Sequence, residues 1–203
     1  MLAFHNHLNH LNLIRDAVMA AADPEILINR SLQAQKNTIC ISAEIFRLEP
    51  NSRIFLIAFG KASAAMSRAV LRILPQPVTE ALIAVPHGFQ GRLPEGTRIF
   101  HTGHPLPNDG SLEAGHAVAE MLTGTKPEDL VLVLISGGGS AMLELPHRRI
   151  TLQDLRRINT LLLHSSAPIG AINIVRQSIS QIKAGGLARM AAPAKVVSLI
   201  MSD

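Results

Sequence analysis

Apolar residues along this chain come in two textures, continuous runs and helically spaced positions. Residues 53–59 (RIFLIAF), 81–85 and 130–135 (LVLVLI) are nearly unbroken apolar runs of strand length, the mark of strands covered on both faces. Residues 98–101 form a weaker run, and 195–201 another of the buried type. Elsewhere, Leu11, Ile14 and Val18 recur at helical intervals ahead of an alanine-rich end at 20–22. Asp23, Pro24 and Glu25 read as N-cap, first-turn proline and first-turn acid, which predicts a helix from there to Gln35. A small hairpin is predicted over 38–42 and 44–48. Further helices are predicted over 61–74, 111–122, 152–164 and 168–182. Strand and helix in alternation predict one α/β domain over residues 1–203, a parallel sheet with helices on both faces.

Composition narrows the class. With 203 residues the chain can bury roughly 70% of its unfolded surface. Hydrophobic residues make up 47% and charged residues 17%, which excludes disordered and collagen-like chains. The single cysteine, Cys40, excludes an internal disulfide framework and a cysteine-only metal cage, and fits a reducing compartment. No apolar run is long enough to cross a bilayer, and residues 1–10 carry three histidines and two asparagines where a signal peptide needs its apolar core. The expectation is a cytoplasmic protein with no membrane partner. The net charge of +4 is scattered, and aromatics are 3% with no Trp or Tyr to stack bases, which argues against nucleic acid and leaves an anionic small molecule. The nine histidines show no HxxxH or HExxH spacing, so no metal site is expected.

Four segments can carry chemistry. Ser136, Gly137, Gly138, Gly139 and Ser140 follow a buried strand, and three glycines let the backbone turn its amides onto an anion. The segment is neither a P-loop nor a GxGxxG fingerprint, since Met142 stands where the last glycine belongs; the alternative is a tight turn that needs small residues for packing. Lys61, in GKAS at 60–63, also follows a strand and would face the same crevice with a cation, or else be a solvated lysine opening a helix. Asn173, Arg176, Ser180 and Lys183 fall on one stripe at about 100° per residue, lining a cleft or forming an ordinary wet face. His104 and Asp109 sit in a stiff polar loop whose Asn108, Asp109 or Ser111 would cap the following helix. His104 or Asp109 would alternatively reach substrate or a metal.

Taken together, GKAS at 60–63, GHPLP at 103–107, LVLISGGGSAMLELP at 132–146 and INIVRQSISQIKAGGLA at 172–188 resemble the class II glycerate kinases, in order and spacing from about Leu11 to the last residue. Those enzymes join an N-terminal Rossmann-like domain of the DUF4147 type to a C-terminal MOFRL domain. The resemblance implies ATP-dependent phosphorylation of D-glycerate to 2-phosphoglycerate with Mg2+, in a cleft between the two domains. It implies Lys61 and Arg176 as catalytic cations. Ser136–Ser140, Asn173, Ser180, Lys183, His104 and Asp109 would bind substrate and phosphate. Some members carry the label hydroxypyruvate reductase, but no nicotinamide fingerprint occurs in this sequence.

The departures from the family pattern are specific. HPxPDE becomes His104–Asp109 with an amide, Asn108, for an acid; VRKHLS becomes 175–180 with Gln177 and Ser178 for lysine and histidine; KGGRLA becomes 183–188 without its arginine. Ser202-Asp203 falls where family members continue into an acidic loop and the second domain. The expectation is therefore a truncated N-terminal domain whose partner is a missing C-terminal domain or a homo-oligomer. The alternative is a degenerate, non-catalytic relative that keeps the fold only. A serine hydrolase built on Ser140 would need a glycine at Met142 and an acid–histidine pair, neither of which is evident.

Overall fold

The three continuous apolar runs become the centre of a five-stranded parallel sheet. The structure, a computed structural model, describes residues 2–202, with side chains from His7 onward, and Asp203 lies outside them. The chain opens with α1 (Leu2–Ala21) and α2 (Pro24–Ser31), whose N-cap Asp23 accepts from the amides of Glu25 and Ile26. Helix α2 stops four residues short of the expected Gln35. Leu32–Gln35 instead forms β1, which pairs with β2 (Thr38–Ile41), and β2 pairs with β3 (Glu44–Arg47) in a small antiparallel sheet.

The main sheet is built from β4 (Ile54–Phe59), β5 (Glu80–Pro86), β6 (Thr97–Thr102), β7 (Leu130–Ile135) and β8 (Lys195–Ile200). Its order is β6-β5-β4-β7-β8, all parallel. Between the strands lie α3 (Ser63–Ile73), α4 (Asp109–Met121), the single turn α5 (Gly139–Met142), α6 (Leu152–His164), α7 (Ile169–Ser178) and α8 (Gly186–Ala191).

Alternate residues of β4 face opposite layers, as the pleat requires. Leu56 and Ala58 pack against Met66, Ala69 and Val70 of α3 and against Ile28, Leu32 and Ile39 of the N-terminal elements. Phe55 and Ile57 pack against Ala114, Ala117 and Val118 of α4, with Leu187 and Ala191 of α8. One face is thus covered by a helix together with the small sheet, and the other by helices. The result is a three-layer α/β fold.

Two expectations are corrected by tertiary contacts. Strand β8 is an edge strand: Ser198 and Ile200 are exposed, because no strand lies beyond it among the described residues. Helix α7 ends at Ser178 and does not reach Ile182. The chain there peels away, with the Gln181 amide donating to Leu145 O at 2.7 Å and Ser180 bridging to Pro146. Gly185, at φ +80°, then caps the start of α8.

Candidate functional site: a stitched pair of turns beside a cleft

In an open parallel sheet the crevice lies beyond the carboxyl ends of the strands where the winding direction reverses. Here the chain winds from β4 outward to β6, then returns to β7 on the other side of β4, so the reversal lies between β4 and β7. Those two strands end in register, Phe59 opposite Ile135, and deliver Lys61 and the glycine turn to the same rim.

The two turns are tied to each other. The Lys61 amide donates to Gly137 O at 2.9 Å, the Ala62 amide to Ser136 Oγ at 3.0 Å, and the Ser136 amide to Phe59 O at 3.1 Å. Gly60, at φ +113°, permits this: a Cβ there would stand 2.4 Å from Ser136 Oγ and 2.5 Å from Ser136 O. Ser136 and Gly139 are buried, while Lys61 and Ser140 are exposed. Among the described residues no acceptor takes the amides of Gly137, Gly138 or Ser140. The helix that follows is one turn long, so it adds little of a helix dipole to these amides and to Lys61.

The His104 ring lies over Gly138, whose added Cβ would come within 2.6 Å of His104 Cδ2. Burial, and then the nearby Lys61 ammonium, push the His104 pKa down, so the ring favours its neutral form beside the turn. Asn108 caps α4 in a capping box with Ser111 and also accepts from the Gly103 amide at 2.9 Å. Its side-chain NH2 donates to His101 O at 3.2 Å, a bond that a carboxylate in its place cannot make. Asp109 is an exposed first-turn acid of α4 and does not line the cleft beside the glycine turn.

A cleft of about 430 Å³ opens beside the glycine turn, between the ends of β7 and β8 and the helices α7 and α8. Gly139 and Ser140 form one edge, Asn173, Arg176 and Lys183 the polar wall, and Phe59, Val133 and Leu187 an apolar floor. The polar wall brings together three of the four residues expected on one helical stripe, but by a different route. Asn173 and Arg176 lie on α7, whereas Lys183 arrives on the turn before α8. Ser180 is excluded from the cleft. It is 4% exposed, and its Oγ has no partner among the described residues. Lys61 and His104 stand on the rim and not in the cleft.

Two residues missed from sequence support this wall. Glu144, 3% exposed, forms a buried ion pair with Lys183. Burial lowers the Lys183 pKa, Glu144 opposes that, and the positive charge of Arg176 adds to the lowering. Asn159 of α6, 6% exposed, accepts from Arg176 Nε at 2.8 Å. An acid inside the apolar run Leu143–Leu145, and an amide four residues after the core residue Leu155, were the available signals.

No three His, Cys, Asp or Glu side chains among the described residues come together to hold a metal ion. The one buried carboxylate beside the cleft, Glu144, is taken by Lys183. No Asp or Glu lines the cleft, so its lining suits anionic oxygen and does not fit a protein-held Mg2+. No helix among the described residues is long and apolar enough to cross a membrane.

Known proteins resemble this chain in sequence and in fold. A protein of Agrobacterium vitis that carries the name of a hydroxypyruvate reductase is 38% identical over 194 residues, 95% of this chain and 41% of that protein. A glycerate 2-kinase of Pyrococcus horikoshii is 35% identical over 95% of this chain and 42% of its own length. The crystal structure of a glycerate kinase from Thermotoga maritima superposes with a TM-score of 0.80 at 28% identity, covering 98% of this chain and 45% of that one. The chain thus spans about two fifths of the length of the curated relatives it matches. Residues 10–203 match the family described as "Domain of unknown function (DUF4147)", and the chain belongs to that family.

Proposed function

We propose that this chain supplies the anion-binding half of an ATP-dependent glycerate 2-kinase, which transfers a phosphoryl group to D-glycerate to give 2-phosphoglycerate. The observation that carries it is the joined rim: two turns stitched backbone to backbone at the reversal of the sheet, with free amides at Gly137, Gly138 and Ser140 and the ammonium of Lys61 alongside. Phosphoryl transfer asks little covalent chemistry of a protein and depends on positioning and on neutralising charge. The loop amides and Lys61 suit phosphate oxygens, and the planar fork of Arg176 with Asn173 suits a carboxylate at the cleft wall. ATP would supply the phosphoryl group. A Mg2+ ion would have to be held by groups outside this cleft lining.

The names of the relatives support the kinase half of this reading. The compartment expected from the sequence, the cytoplasm, belongs to the same reading, as does a facing C-terminal half or a second copy as the partner. A test adds ATP with magnesium, D-glycerate or 2-phosphoglycerate, each at millimolar concentration, and follows the melting temperature. A rise with at least one is expected; no shift with any overturns the proposal.

The alternative, a non-catalytic relative, is favoured by one observation. Gly186 stands where the resemblance implies an arginine, and a Cβ there would be 1.8 Å from Gln181 O, so this backbone has no room for one. Gln177, where a lysine is implied, lines the cleft without a charge. A coupled assay for 2-phosphoglycerate, with and without a separately supplied C-terminal half, separates the two; turnover by either preparation refutes the non-catalytic reading. The hydrolase reading falls because Met142, where the nucleophile elbow needs glycine, is a fully buried core residue.

A further inference from the structure

Arg176 lies on a ten-residue helix whose other faces are largely exposed: Ile174 is 68% exposed and Val175 37%. Nothing on α7 itself fixes the direction of a long, flexible guanidinium. The fixing comes from the neighbouring helix. Asn159 sits one turn after Leu155, on the buried stripe of α6, where an apolar residue would be the ordinary choice. Its two polar ends are both used. The NH2 donates to Leu155 O at 2.9 Å, and this sets the amide's orientation by turning Oδ1 toward α7. Oδ1 then accepts from Arg176 Nε at 2.8 Å. An arginine held by Nε keeps both terminal nitrogens for a ligand, and these are the donors that grip a carboxylate or phosphate in a fork.

Helix α6 is itself anchored to the rim, since Arg156 Nε donates to Pro107 O at 2.9 Å in the loop that carries His104. Arg176 also faces Lys183 closely enough for its charge to be felt there. Two cations gathered on one wall repel each other, and holding each from behind keeps both in place before an anion arrives.

We infer that Asn159 is a positioning residue: by taking Arg176 Nε from the buried side it aims the guanidinium fork into the cleft, where it receives the anionic group of the substrate. This rests on the proposed kinase role, within which it assigns a residue outside the cleft lining to substrate affinity.

Calorimetric titration of 2-phosphoglycerate into the unaltered chain, Asn159→Leu, Arg176→Ala and the double variant tests it. Asn159→Leu is expected to weaken binding roughly tenfold, and to change nothing further in the Arg176→Ala background. A purely structural role would weaken binding by the same factor in both backgrounds, which overturns the inference, as does binding by Asn159→Leu equal to that of the unaltered chain. If the unaltered chain takes up no 2-phosphoglycerate, the kinase role and this inference fall together; if it binds and only the Asn159 arm fails, the inference falls alone. Should Asn159→Leu not fold, proton exchange at Arg176 Nε in the unaltered chain decides. Exchange markedly slower than at the exposed Arg157 supports the clamp, and equal exchange overturns it.

Discussion

Gly60→Ala perturbs the contact that joins the two turns, and Gly88→Ala provides its control. Both glycines have positive φ, +113° and +90°, so both variants carry a backbone strain of about 1–3 kcal/mol and share the small gain from a stiffer unfolded chain. They differ in what the new methyl meets. At Gly88 nothing lies within 4 Å, whereas at Gly60 Ser136 Oγ, O and C lie at 2.4, 2.5 and 2.8 Å. Ser136 cannot yield without breaking the bond its Oγ accepts from the Ala62 amide and the adjoining one that Gly137 O accepts from the Lys61 amide, at about 1 kcal/mol each, and displacing a packed segment adds about 1–3 kcal/mol. Gly60→Ala should therefore cost about 3–5 kcal/mol more than Gly88→Ala. Urea unfolding at constant m-value measures the difference directly. If the two variants agree within about 0.5 kcal/mol, the close approach of Gly60 to Ser136 is not what holds the turns together.

Three further outcomes follow from charged groups. Burial raises the Asp129 pKa, but the Arg53 guanidinium and the amides of Arg53 and Lys126 more than offset it and hold the carboxyl below its ordinary value. Its stabilisation is therefore complete above the ordinary carboxylate pKa and lost as pH falls through the folded value. Asp129→Asn should cost about 1–3 kcal/mol at pH 7, toward the low end because Arg53 is 36% exposed, and should flatten the acid limb of a stability–pH curve; an unchanged limb refutes this. Lys61→Met should raise the His104 pKa, read from its imidazole resonances, leaving the part due to burial. Stability in the parent is lost as pH falls from the free histidine value to the lowered one, and the variant narrows that window; an unmoved titration means the two groups do not sense each other. Glu144→Gln removes the carboxylate that favours the charged form of Lys183, so a loss of about 3 kcal/mol at pH 7 should shrink by pH 10 as the amine gives up its proton; equal loss at both pH values contradicts the buried pair.

The central strands were legible because a strand covered on both faces must be apolar along its buried length, and β4, β7 and residues 81–85 of β5 are. Which strand lies at the edge was not, since Val196, Val197, Leu199 and Ile200 give β8 much of the apolar texture of β7, and only Lys195 and Ser198 break it. The end of α7 was hidden for a similar reason. Ile179 and Ile182 continue the helical spacing, and only the pairing of 179–181 with 145–147, remote in sequence, turns the chain aside. In the site, spacing alone placed Lys61 and the glycine turn on one rim, because each directly follows a strand of the same parallel sheet. It did not reveal Asn159 or Glu144, whose partners lie 17 and 39 residues away.

The seam between the turns after β4 and β7 has a consequence for recognition. Loops that must be ordered by their ligand give up part of the affinity to lost conformational freedom. Here the ordering is completed when the sheet forms, since the bonds joining the turns continue the ladder that pairs Phe59 with Ile135. On the proposed reading an arriving anion would meet a preorganised surface, and its affinity would follow the integrity of one strand pair, lost as a unit when that pair opens.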